Sequence, residues 1–159
     1  MNAPLRAAIL TLALAASALS ADAADTGAQP EPAAASDPLA AAREQIAAKR
    51  WERAIAELKR VNATSSADWN NLMGYALRKQ AVPDLDGAQR HYDAALRIDP
   101  RHRGALEYAG ELALMKGDLP RAESYAGTLG LACPAGCEEL ADLKQAVARY
   151  KSNGNRYLP

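Results

Sequence analysis

Apolar residues recur along the middle of this chain at the spacing of amphipathic helices. In one run Trp51, Ala54, Leu58 and Val61 fall at i, i+3, i+7 and i+10. Leu85, Ala88, Tyr92 and Ala95 repeat that order, and so do Leu119, Ala122, Ala126 and Leu129. Such a stripe, with polar residues between, is one buried face of a helix. The small residue at the second position lets a neighbouring helix backbone come close. A second kind of stripe precedes the last of these runs: Leu106, Ala109, Gly110 and Ala113 at i, i+3, i+4 and i+7. Gly117-Asp118 then supplies a helix stop and a new start, with Pro120 in the first turn of the next helix. A final stripe, Leu140, Leu143, Val147 and Tyr150, follows two acids, Glu138 and Glu139, that suit a helix N-terminus.

The stripes are periodic on a longer scale. Arg50-Trp51, Asp84-Leu85 and Asp118-Leu119 each open the same pattern, at intervals of 34 residues. Ser66, Pro100 and Pro134 close the three units. Each unit therefore predicts a helix–turn–helix that cannot bury its apolar face alone, and stacking makes the core continuous. The expected units are about 38–66, 67–100 and 101–134, followed by a cap helix over 136–151 and a flexible tail over 152–159.

The ends of the chain read differently. Arg6 precedes an apolar run from Ala7 to Leu19, and small-residue cleavage sites follow at Ala18-Leu19-Ser20 and Ala21-Asp22-Ala23. This pattern predicts a secretory signal peptide over 1–23, too short and alanine-rich for a membrane span. Residues 24–37, rich in Ala, Pro and Asp, predict a flexible linker. The expected mature protein is periplasmic or secreted and makes no membrane insertion after signal cleavage.

Composition narrows the function classes. Lys+Arg and Asp+Glu both number 19, so no basic field exists to hold nucleic acid. Phe is absent and alanine is abundant, which suits close helix packing over a sheet. No nucleophile elbow, zinc-protease motif or phosphate-binding glycine loop occurs, so no enzyme and no cofactor is expected. His91 and His102 read as helix-surface histidines, His102 placed to cap a helix. The two cysteines, Cys133 and Cys137, flank Pro134-Ala135-Gly136 between the last unit and the cap helix. In an oxidising compartment they read as a structural disulfide. A redox-active pair and a copper or zinc site are the alternatives, although the spacing is not Cys-x2-Cys.

The 34-residue unit resembles the tetratricopeptide-repeat family. The second unit carries Asn71-Leu72-Met73-Gly74-Tyr75, then Ala88, Tyr92, Ala95 and Pro100. The third carries Leu106, Ala109, Gly110, Ala113, Ala122, Leu129 and Pro134. Small exported members of that kind similarly place Cys-Pro-x-Gly-Cys-Glu-Glu before a last helix. The resemblance implies an all-α fold: an α-solenoid of three helix hairpins plus a C-terminal capping helix. It also implies a concave groove lined by the first helix of each unit. Family positions put Arg43, Asn71, Tyr75, Arg78, Glu107, Glu111 and Leu114 on that groove. The expected function is a non-catalytic scaffold or adaptor that binds a protein or peptide partner. A thiol-redox or metal-handling protein using Cys133 and Cys137 is the second reading, and self-association a third.

Overall fold

The structure, a computed structural model, describes residues 37–157. The expected signal peptide and all of the linker except Asp37 lie outside the described residues. Among the described residues there are seven α-helices and no strand. They are α1 (Ala40–Ala47), α2 (Trp51–Val61), α3 (Ala67–Lys79), α4 (Leu85–Ile98), α5 (Arg103–Met115), α6 (Leu119–Ala132) and α7 (Glu138–Ser152). The protein is all-helical over this span, and none of these helices is long and apolar enough to cross a membrane.

The helix boundaries follow from local chemistry. Four helices begin on a side chain that accepts a hydrogen bond from a backbone N–H of the first turn. Ser66 takes Trp69 N–H at the start of α3, and Asp84 takes Gly87 N–H at the start of α4. His102 Nδ1 takes Ala105 N–H on α5, and Asp118 takes Arg121 N–H on α6. Each cap satisfies a donor that the helix leaves open. Gly117 ends the α5 segment at φ 80°, where a side chain would be strained.

Each helix packs on its neighbour in the chain, and α7 lies against both α5 and α6. Alternate helices also touch: α1 meets α3, α3 meets α5 and α5 meets α7. The apolar stripes are what these contacts bury. Ala54, Leu58, Ala88, Tyr92, Ala95, Ala122 and Leu129 have no exposed surface. Near the first helices Leu39, Ala42, Leu58, Trp69, Leu72 and Met73 form one cluster, in which Trp69 Nε1 donates to the Leu58 carbonyl at 2.7 Å. At the other end Leu106, Leu129, Leu140 and Leu143 form another. Burying each such side chain contributes roughly 1.5–3 kcal/mol. Glycine makes the closest approach possible: a Cβ on Gly110 would stand 2.6 Å from the Leu143 methyls. That contact seats α7 on α5.

Candidate functional site

On α3, Asn71, Tyr75 and Arg78 share a face because they fall at i, i+4 and i+7. On α5, Glu107, Tyr108 and Glu111 meet it. Arg78 is only 3 % exposed, and its Nη2 donates to Glu111 Oε2 at 2.6 Å. The guanidinium lies 5.6 Å from the ring centroids of both Tyr75 and Tyr108, whose rings are 4.5 Å apart. Trp51 of α2 packs edge-on against Tyr75. A buried arginine needs such company: the carboxylate neutralises it and the ring faces favour its charge. Tyr92 lies beneath, fully buried, and its burial pushes the phenol well above its ordinary range.

Arg78 Nε and the Tyr92 hydroxyl meet no hydrogen-bond partner among the described residues, and the other end of the seam is no more complete. Asn71 is buried, and its Oδ1 has no hydrogen-bond donor among the described residues. Its amide lies against Gly104, where an added Cβ would come within 3.0 Å of Nδ2. Gly104 stands one turn before Glu107 on α5. Glu107 is 9 % exposed. Burial first, then the nearby carboxylates of Glu111, Asp142 and Glu139, push its carboxyl up to about 8, against the pull of Arg78.

Of the other residues read as groove-lining, Arg43 is exposed and held by Asp37 at 3.2 Å and Asp68 at 3.4 Å. Leu114 is not on an open face. It is 1 % exposed and packs with Ala113, Ala122, Ala146 and Tyr150, because α7 and the residues after it close over that turn of α5. Arg78 likewise offers no open fork, since Glu111 and the two tyrosines enclose it.

Several residues of the site had no place in the sequence reading. Tyr108 completes the clasp on Arg78, and Asp142 brings α7's charge toward Glu107. Tyr157, in the segment read as tail, is half-buried against the cluster of Ala113, Leu114, Ala122, Ala146 and Tyr150. With Arg78, Met115 and Pro83 it lines a cavity of about 250 Å³. The signal for Tyr157 is a lone aromatic in a polar tail, which points to no particular partner surface. His91 also differs from a solvated surface histidine. Its Nδ1 lies 3.1 Å from Asn70 Oδ1 and its ring meets Trp69 edge-on, and burial lowers its pKa.

Cys133 and Cys137 lie at disulfide-bonding distance, their Cα atoms 6.0 Å apart. Both are half-buried against the Leu106–Leu129–Leu140–Leu143 cluster. Among the described residues no group of three or more His, Cys, Asp or Glu side chains gathers as a metal-ligand set. No protein-family model matches the chain, and no curated protein matches it in sequence.

Proposed function

We propose that this protein is an exported, non-catalytic binding scaffold: a tetratricopeptide-like α-solenoid of three helix hairpins capped by α7. Its α1–α3–α5 face holds a segment of a partner protein or peptide, and it works in the periplasm or outside the cell. The hairpin pairs are α1–α2, α3–α4 and α5–α6, and the contacts of α1 with α3 and of α3 with α5 agree with a stacked array. The observation that carries the reading is the seam between α3 and α5. A helix contact serving packing alone would be apolar, yet this one gathers Asn71, Tyr75, Arg78, Glu107 and Glu111. The Arg78–Glu111 pair fixes the spacing of the two helices. Asn71, Tyr75 and Glu107 are then the groups that meet the partner. An amide such as that of Asn71 can hold an extended peptide backbone.

The test is selection of peptides from a random displayed library on the purified full chain, followed by affinity measurement on variants. Asn71→Ala and Tyr75→Ala should each weaken the selected peptides by about tenfold, equivalent to 1.4 kcal/mol. Peptides that bind both variants at full strength would place the binding face elsewhere and overturn the reading.

A further inference from the structure

We infer that the cavity at the Arg78 end of the α3–α5 seam is a seat for a tyrosine side chain, filled in cis by the chain's own Tyr157, which a tyrosine-bearing segment of the partner displaces. The displacement rests on the scaffold reading, whereas the seat stands on the geometry around Tyr157. Tyr157 walls a cavity of about 250 Å³ together with Arg78, Lys79, Gln80, Pro83 and Met115. Its ring is half-buried, packed on the cluster that includes Ala113, Leu114 and Tyr150. Its hydroxyl lies within electrostatic reach of the site: burial raises the phenol's pKa, the Glu111 carboxylate raises it further, and the Arg78 guanidinium opposes both. Arg78 already faces the rings of Tyr75 and Tyr108, each centroid 5.6 Å from its guanidinium. A further ring at this end therefore meets a cation beside the apolar side chains of Met115 and Pro83. That mixed surface suits a phenol, with its apolar body and polar tip.

The segment that carries Tyr157 is built to bend and is held by little else. From Lys151 to Arg156 every residue is exposed. The chain turns back at Gly154, φ 67°, and Asn155, φ 60°, residue types that enter the left-handed region at low cost. Two backbone hydrogen bonds close the turn: Gly154 N–H donates to the Lys151 carbonyl at 3.2 Å and Asn155 N–H to the Tyr150 carbonyl at 3.0 Å. Beyond Tyr150, Tyr157 is thus the one side chain that pins the segment among the described residues. A single half-buried ring holds its place by a small margin, and the tether sets that margin. A short linker gives the ring an effective concentration on the order of 10 mM, against an expected Kd on the order of 1 mM for the same segment added free. The seat is then filled most of the time, yet a competing segment can take it.

The probe is the peptide acetyl-Gly-Asn-Arg-Tyr-Leu-Pro, the sequence of residues 154–159, titrated by NMR into the full chain carrying Tyr157→Ala. It should bind this variant with Kd on the order of 1 mM and return the amide signals of Lys79, Gln80 and Met115 toward their wild-type positions. Wild type should bind the peptide about tenfold more weakly, because the tethered ring holds the seat. The same peptide with alanine for tyrosine should bind neither form. Arg156→Ala, which alters an exposed neighbour, should match wild type. Equal binding to wild type and Tyr157→Ala, no binding to Tyr157→Ala, or binding that survives loss of the peptide's tyrosine would overturn the seat. Wild-type dimers in light scattering that Tyr157→Ala abolishes would put the ring in a second copy's cavity and overturn occupancy in cis. Library peptides selected on Tyr157→Ala should carry tyrosine and bind wild type about tenfold more weakly. Library peptides that need Asn71 and Tyr75 but bind both forms alike would overturn the displacement and leave the scaffold reading standing. Library peptides indifferent to Asn71 and Tyr75 would remove the scaffold reading and the displacement with it, while the probe peptide still decides the seat.

Discussion

Glu107 sets burial against charge within a single side chain. Its carboxyl, raised by burial and by Glu111, Asp142 and Glu139, titrates at about 8 in the folded protein, while an unfolded chain returns it to about 4.5. The folded state therefore binds the proton more tightly. The stabilisation linked to that proton is fully present below pH 4.5 and is lost as pH rises through about 8. Urea denaturation of the wild type should show a falling midpoint between pH 5 and pH 8.5. Glu107→Gln cannot ionise, so its midpoint should hold steadier over that interval, and the difference between the two curves isolates this residue. Parallel curves would mean that the Glu107 charge is solvated in the folded protein. Arg78 shows the complementary solution, in which a charge is enclosed only because its counter-charge and two ring faces are enclosed with it.

At the scale of elements, α7 is a helix whose position is set from both ends of its contact. Leu140, Leu143, Ala146 and Tyr150 form its buried face, and Gly110 lets Leu143 reach the α5 backbone. The Cys133–Cys137 pair closes the turn that leads into it. A loop this short limits the unfolded chain modestly, so Cys133→Ser with Cys137→Ser should lower stability by about 2 kcal/mol. Amide exchange should quicken first in the opening turn of α7, which the bond anchors. A double variant with unchanged stability and unchanged exchange would assign the seating of α7 to its leucines alone. The stripes of α2, α4, α5, α6 and α7 were legible in the sequence because a 3.6-residue period marks a helix face whatever covers it. The caps at Asp84 and Asp118 were legible for the same reason, as they recur with the stripe. What covers each face was not legible. Leu114 and Glu107 lie on one helix within two turns, yet the depth of each depends on how closely α7 approaches α5. His91 and Tyr108 share that difficulty: their neighbours Trp69, Asn70 and Tyr75 are distant in sequence, and periodicity carries no record of them.

In the molecule as a whole, contacts run mainly between successive helices, and stability in such an arrangement is a sum of neighbour terms. Tyr157 departs from that rule. After α7 the chain turns at Gly154, φ 67°, and Asn155, φ 60°, with Asn155 N–H donating to the Tyr150 carbonyl at 3.0 Å. The turn brings Tyr157 onto the buried cluster of Ala113, Leu114, Ala122, Ala146 and Tyr150, and beside Met115 of α5 and Arg78 of α3. One side chain near the end of the described chain thus reaches past α5 to the helix pair before it. If this contact couples the two ends, Tyr157→Ala in the full chain should cost about 1 kcal/mol, the scale of half-burying an aromatic ring. Its effect should appear at a distance, as faster amide exchange in the last turn of α3 around Arg78 and Lys79. A purely local role predicts something else: faster exchange confined to the end of α7, with α3 unchanged. The first result would make the closing of the Arg78 end a property of the whole molecule, because Tyr157 would then hold in register helices that are otherwise linked only through α5.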